Sequence, residues 1–260
     1  MLIIFNIGDL GIYQLQIDSQ AVDGVSTYQG LGRSIMVIAI FVLSTIKSKL
    51  NFFVIGLISL LTLLLNGARS EFVGVIVAIS FIMFAKYKIS QFVWFGIIFI
   101  LGLILILPDL PISVVENSRI FELMRLDESS SAIARSQLMN DAIRTIYEYP
   151  IFGNYGSYVR ASGMGSYSHN LLSAWVDLGI FGFLLYGLCL TGMALVLLRC
   201  SHSLYRRSDL FSLGVGYFVC TSLLLIFAKE YGYMLFGLSM GLVARLIDAS
   251  RRPSAVSSPP

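Results

Sequence analysis

The sequence predicts an all-α fold: a polytopic membrane bundle of about seven transmembrane helices, with an amphipathic helix in one long external loop. Three observations point to it. Hydrophobic residues make up 57% of the chain and charged residues 13%, with a mean hydropathy of +0.82, well outside the range of domains that must hide apolar surface from water. The apolar residues fall into seven runs separated by short polar connections. One connection alone is long, and long loops in compact proteins usually carry function.

The N-terminal segment, residues 1–33, is predicted to be external. Its opening Met1-Leu2-Ile3-Ile4-Phe5 has no basic flank and too short an apolar core for a signal peptide, and reads as the tail of a preceding helix. Four spans follow within 34–107: Ser34 to Ile46, Leu50 to Leu65, Phe72 to Ala85 and Phe92 to Leu107. Residues 108–170 form the large external loop. Three further spans occupy 171–247, as Leu171 to Leu198, Leu210 to Phe227 and Tyr233 to Ile247. The tail, 248–260, is rich in Pro and Ser, cannot build a core, and is predicted to be disordered.

Basic residues orient the bundle, because Lys and Arg in short loops stay on the cytoplasmic side. Lys47 and Lys49, Lys86 and Lys88, Arg199 with Arg206 and Arg207, and Arg251 with Arg252 occupy alternate connections. If every run spans, all four groups and the C-terminus are cytoplasmic and the long loop is external. The net charge of +3 is small and its basic residues are scattered, which excludes nucleic acid as a partner. Cys189, Cys200 and Cys220 show no CxxC spacing and read as packing residues, so no metal site and no disulfide framework is predicted.

Few polar residues remain to carry chemistry, and nearly all lie on the external side. Arg69, in Asn66-Gly67-Ala68-Arg69-Ser70-Glu71, sits at the membrane boundary, where an arginine is costly without an anionic partner. Two readings stand side by side: an arginine that snorkels or pairs with Glu71, and a phosphate ligand gripping oxygens with its planar fork. In the long loop, Ser131 to Tyr149 carries apolar residues at helical spacing, and Pro150 stops it. Arg135 shares the face of Leu138, Met139, Ala142 and Ile146, whereas Arg144 points the other way. Arg135 is thus aimed inward, toward either a ligand or lipid headgroups.

The Gly/Tyr-rich stretch that follows presents Tyr155, Tyr158 and Tyr167, whose rings and hydroxyls suit a sugar and equally suit a membrane interface. His169 opens the fifth run near a helix N-terminus, where the dipole disfavours imidazolium. The chain has two histidines, and His202 falls on the cytoplasmic side, so His169 is the external candidate for a general base; the bland alternative is a residue beside the helix cap. Arg33 and Lys229 are secondary candidates for anion binding. Asp177 lies about 12 Å along the fifth helix from His169, a candidate polar lining.

In their order, Asn66-Gly67-Ala68-Arg69-Ser70, Arg135, Pro150-Ile151-Phe152-Gly153, His169-Asn170 and Leu178-Gly179-Ile180-Phe181-Gly182 resemble the O-antigen ligase and O-antigen polymerase superfamily, over roughly Leu50 to Leu188. Tyr28 to Arg33 looks more like the polymerases. The resemblance implies a metal-independent membrane glycosyltransferase with no cofactor. It would move glycan from undecaprenyl diphosphate to an acceptor sugar hydroxyl on the outer face of the bacterial cytoplasmic (inner) membrane, in lipopolysaccharide or exopolysaccharide synthesis. Arg69 and Arg135 would then hold the diphosphate and His169 would activate the acceptor. A ligase that delivers glycan to a lipid A core or other acceptor is the alternative, and a non-catalytic lipid-glycan transporter the second. Members of the family are usually longer, with spans ahead of the matched region, so an N-terminally truncated chain is expected.

Overall fold

The computed structural model describes residues 28–87, 130–162, 168–202 and 208–251. Eight helices occupy them: α1 (Tyr28–Thr45), α2 (Lys49–Leu65), α3 (Arg69–Lys86), α4 (Ser130–Glu148), α5 (Ser157–Ser162), α6 (Leu172–Ser201), α7 (Asp209–Phe227) and α8 (Leu235–Arg251). Among the described residues there is no strand, as the apolar runs without alternation predict. The fourth apolar run, most of the external loop's first half and residues 252–260 lie outside the described residues; residues 248–251, expected in the disordered tail, instead close α8. Two helices, α6 and α7, are long and apolar enough to cross a bilayer, and α1 and α2 are shorter apolar helices. The expectation of seven spans is therefore met only as far as an all-helical architecture with two such helices.

The chain divides into two compact units, Met1–Leu126 and Asp127–Pro260. In the first, α1, α2 and α3 pack on one another through a core that includes Met36, Ile40, Leu43, Phe52, Leu63 and Ile79. Helix α1 begins earlier than the apolar run, so Gly30, Gly32 and Arg33 lie inside it. Gly32 fits there because a Cβ would collide with Ala68, beside the Asn66 amide. The α2–α3 turn closes through Gly67, whose φ of 67° terminates α2 in the left-handed conformation a glycine adopts without strain. At the opposite end, Lys86 Nζ donates to the carbonyls of Leu43 (3.4 Å) and Ile46 (2.9 Å), capping the last turn of α1. Lys47, Lys49 and Lys86 thus gather at one end of this unit, and Arg33 and Arg69 at the other.

In the second unit, α4 lays its apolar face on α6. Ala142 is fully buried with Val176 and Tyr158, and Leu138 and Ile146 pack against them. Arg144 is on the outer face in an exposed pair with Glu148 (3.0 Å). Such a pair contributes about 0.3–0.5 kcal/mol, whereas burying a leucine or isoleucine side chain contributes about 1.5–3 kcal/mol when complete, so packing sets the position of α4. Helices α6, α7 and α8 pack together, and the Thr221 and Ser239 hydroxyls meet at 3.0 Å between α7 and α8.

Candidate functional site

The α4–α5 connection and the start of α6 are one interlocked structure. Pro150 has no amide proton to continue α4 and its ring disfavours the preceding turn, so the chain leaves the helix there. Gly153 and Gly156 both take φ of 71°, which turns the backbone toward α6. Helix α6 is broken at Gly179 (φ 70°, ψ −171°). In an unbroken helix the Ile180 amide would donate to the Val176 carbonyl, four residues back. Here the Ile180 amide donates instead to the Pro150 carbonyl (3.1 Å), and the Val176 carbonyl accepts from the Asn154 amide (2.6 Å). The loop thereby replaces both halves of the missing helical bond. The Trp175 indole N–H adds a further bond to the Pro150 carbonyl (2.9 Å). A Cβ on Gly153 would stand 2.5 Å from the Gly179 nitrogen and 2.7 Å from the Val176 oxygen, so two backbones meet where side chains cannot fit.

Asp177, two residues before the break, ties this loop to the α7–α8 turn. It accepts from the Gly156 amide (3.1 Å) and from the Tyr231 hydroxyl. The Tyr231 amide donates to Ser173 Oγ (3.0 Å), a second tie between that turn and α6. Tyr231 and Glu230 are both pushed to higher pKa, chiefly by burial and then by the charge of Asp177.

His169 stands at the head of α6. Asn170 caps the helix: its Oδ1 accepts from the Leu172 amide (3.0 Å) and from Ser168 Oγ (2.6 Å), and its amide group reaches Met139 Sδ (3.3 Å) on α4. Met139 is one turn along α4 from Arg135; the Arg135 side chain, expected to face inward, is exposed, yet it is close enough to His169 to act on its charge. On the other side, His169 Nδ1 meets the Ala228 carbonyl at 3.3 Å. A carbonyl only accepts, so Nδ1 carries the proton in the neutral ring and Nε2 holds the basic lone pair. The imidazole pKa is lowered from its ordinary value by burial, then by Arg135, and further by Lys229; the Ala228 carbonyl opposes them. Lys229 is 6% exposed, with its ammonium 6.0 Å from the centre of the Tyr233 ring.

The structure thus brings Arg135, His169 and Lys229 together within the second unit, and sets Arg33 and Arg69 at one end of the first. Arg69 lies in the first turn of α3, not in the turn before it, and the neighbouring Glu71 is buried and accepts from Ser70 (2.7 Å). Of the three tyrosines, Tyr155 is exposed and Tyr158 is buried; burial pushes the Tyr158 hydroxyl up to about 12. Tyr167 lies outside the described residues. Sequence reasoning left Asp177 as lining and did not pair it with Tyr231, and it missed the break at Gly179; an aspartate inside an apolar run was the one available signal. Among the described residues, no three His, Cys, Asp or Glu side chains gather to hold a metal ion.

Apolar helices long enough to cross a bilayer thus accompany a half-buried imidazole set at a helix head near two cations. The family described as O-antigen ligase matches residues 52–187. The chain belongs to that family, whose members are glycosyltransferase-like membrane enzymes, ligases and polymerases of O-antigen type. No curated protein and no solved structure gave a match.

Proposed function

We propose that the chain is a polymerase-type glycosyltransferase. It would take glycan from undecaprenyl diphosphate and join it to an acceptor sugar hydroxyl on the outer face of the bacterial cytoplasmic membrane, with seven spans and a cytoplasmic C-terminus. The observation that carries the reading is the His169 ring: its Nδ1 proton is committed to Ala228, and burial, Arg135 and Lys229 disfavour the imidazolium. Nε2 takes the acceptor's proton, the hydroxyl oxygen attacks the anomeric carbon, and the bond from that carbon to the diphosphate breaks. The electron pair leaves with the diphosphate. Arg135 and Lys229 offset its charge without a metal ion, and Tyr155 presents its ring to the sugar. For Arg33 and Arg69 the assignment to diphosphate rests on guanidinium chemistry and family resemblance.

The polymerase reading, favoured by the Tyr28 to Arg33 stretch, is tested by inactivating the gene and examining surface glycan. Single repeat units on the lipid A core are expected. Bare core with accumulated carrier-linked polymer would instead make the chain a ligase, and loss of carrier-linked glycan from the outer leaflet would make it a transporter.

A second test reads the base. Transfer requires neutral His169, so the rate falls as pH drops through its pKa, and the lowered pKa puts that fall below the range of an ordinary histidine. Removing a nearby cation relieves repulsion on the imidazolium and raises the pKa. Arg135→Gln should therefore move the acid limb of the rate profile upward, and Lys229→Gln should move it upward by less. Limbs that stay in place in both variants would remove His169 as the titrating group.

A further inference from the structure

We infer that the Ile151-Phe152 tip of the α4–α5 connection is inserted into the headgroup–acyl boundary of the bilayer, an interfacial anchor that fixes the depth of the candidate site. The break at Gly179 divides α6 chemically. Before it, Leu172 to Leu178 carries Ser173 and Asp177 and is tied by hydrogen bonds to the loop and the α7–α8 turn. Beyond it there is no charged residue until Arg199. The stretch from Ile180 to Ser201, roughly 22 residues or about 33 Å of helix, is enough to cross the hydrocarbon by itself. Its outward side chains are those of a lipid-facing surface: Phe181 is 66% exposed, Leu188 70%, and Leu184 and Leu185 are exposed with them. The apolar boundary therefore lies at the break.

The loop tip sits at that level. The backbone of Ile151 and Phe152 is so close to Gly179 that a Cβ there would strike it, yet the Phe152 side chain is 83% exposed and Ile151 is also exposed. In a chain of this length, two large apolar groups held rigidly beside a helix break and left open are continuous with the lipid-facing stripe that begins two residues further on, at Phe181. The same bilayer that covers Phe181 covers them. Aromatic side chains are favoured at this depth, where a ring can meet both acyl chains and headgroups. A second copy of the chain would also hide them, but would have to displace lipid from the adjoining stripe.

The test uses the full chain with its three native cysteines replaced by alanine, in nanodiscs of phosphatidylethanolamine and phosphatidylglycerol. A nitroxide is attached at Phe152→Cys or, as a reference, at Arg144→Cys on the outward face of α4. Both positions are exposed, so the label disturbs no packing. Collision with oxygen, which concentrates in lipid, should exceed collision with a water-soluble nickel chelate at 152, and the order should reverse at 144. A label at 152 that is as open to the chelate as the one at 144 would place the tip in water. One screened from both reagents would place it against protein. Either result overturns the anchor, and neither bears on the glycan chemistry.

Discussion

Replacing His169 with alanine should lower glycan transfer by about 10²- to 10⁴-fold, the range a positioned general base supplies, while the chain stays in the membrane. The ring hydrogen-bonds the Ala228 carbonyl through Nδ1 and sits in a turn capped independently by Asn170. Its removal therefore forfeits little structure: a neutral hydrogen bond contributes about 0.5–1.5 kcal/mol. The chemical loss is larger, because the described residues near it that carry charge include two cations, which cannot accept a proton. His169→Gln sharpens the comparison, since its amide can donate to Ala228 but offers no base. In vitro transfer with carrier-linked glycan should fail equally in both variants, with membrane levels unchanged. Undiminished transfer in either would end the assignment of this residue as the base.

Gly179→Ala should destabilise the second unit by about 3 kcal/mol or more, an unusually large effect for adding one methyl group. Two costs combine. The backbone at this position, φ 70° and ψ −171°, is in a region that L side chains rarely occupy. The added Cβ would also run into the Ile151 carbonyl and the Phe152 carbonyl carbon, backbone atoms with no rotamer through which to withdraw. Restoring a regular helix would relieve the first cost but return Val176 and Ile180 to each other, stranding the Asn154 amide and expelling the loop. The variant should show a lower melting temperature in detergent and should lose transfer together with it. An alanine variant as stable and active as the parent would mean that the loop does not hold the break open. Gly187, in the same helix and with nothing within 4 Å of an added Cβ, provides the comparison for a glycine outside the interlock.

How far this molecule can be read from its residues depends on whether a feature is periodic. Helix positions were legible to within a few residues for α2, α4, α6 and α7 because apolar spacing is a local signal. The face of α4 was legible too: Ala142 is buried and Arg144 exposed, as a turn of 100° per residue requires. The start of α1 was not, since Gly30 and Gly32 read as loop residues; the need for glycine at 32 comes from the close approach of Ala68, a tertiary fact. The break at Gly179 was invisible for the same reason. Its cause lies in Pro150 to Asn154, some distance back along the chain, and in a run of apolar residues one glycine looks like any other. At the site, the head-of-helix place of His169 followed from sequence, but its Nδ1 partner came from the α7–α8 turn, which no spacing near His169 discloses.

The exchanged bonds at Gly179 also constrain biogenesis. A buried carbonyl or amide left without a partner costs about 1–3 kcal/mol, and here the groups that satisfy Val176 and Ile180 belong to a segment made earlier. The order of synthesis therefore sets an order of assembly: Pro150 to Asn154 must be docked before the two halves of α6 can settle about Gly179.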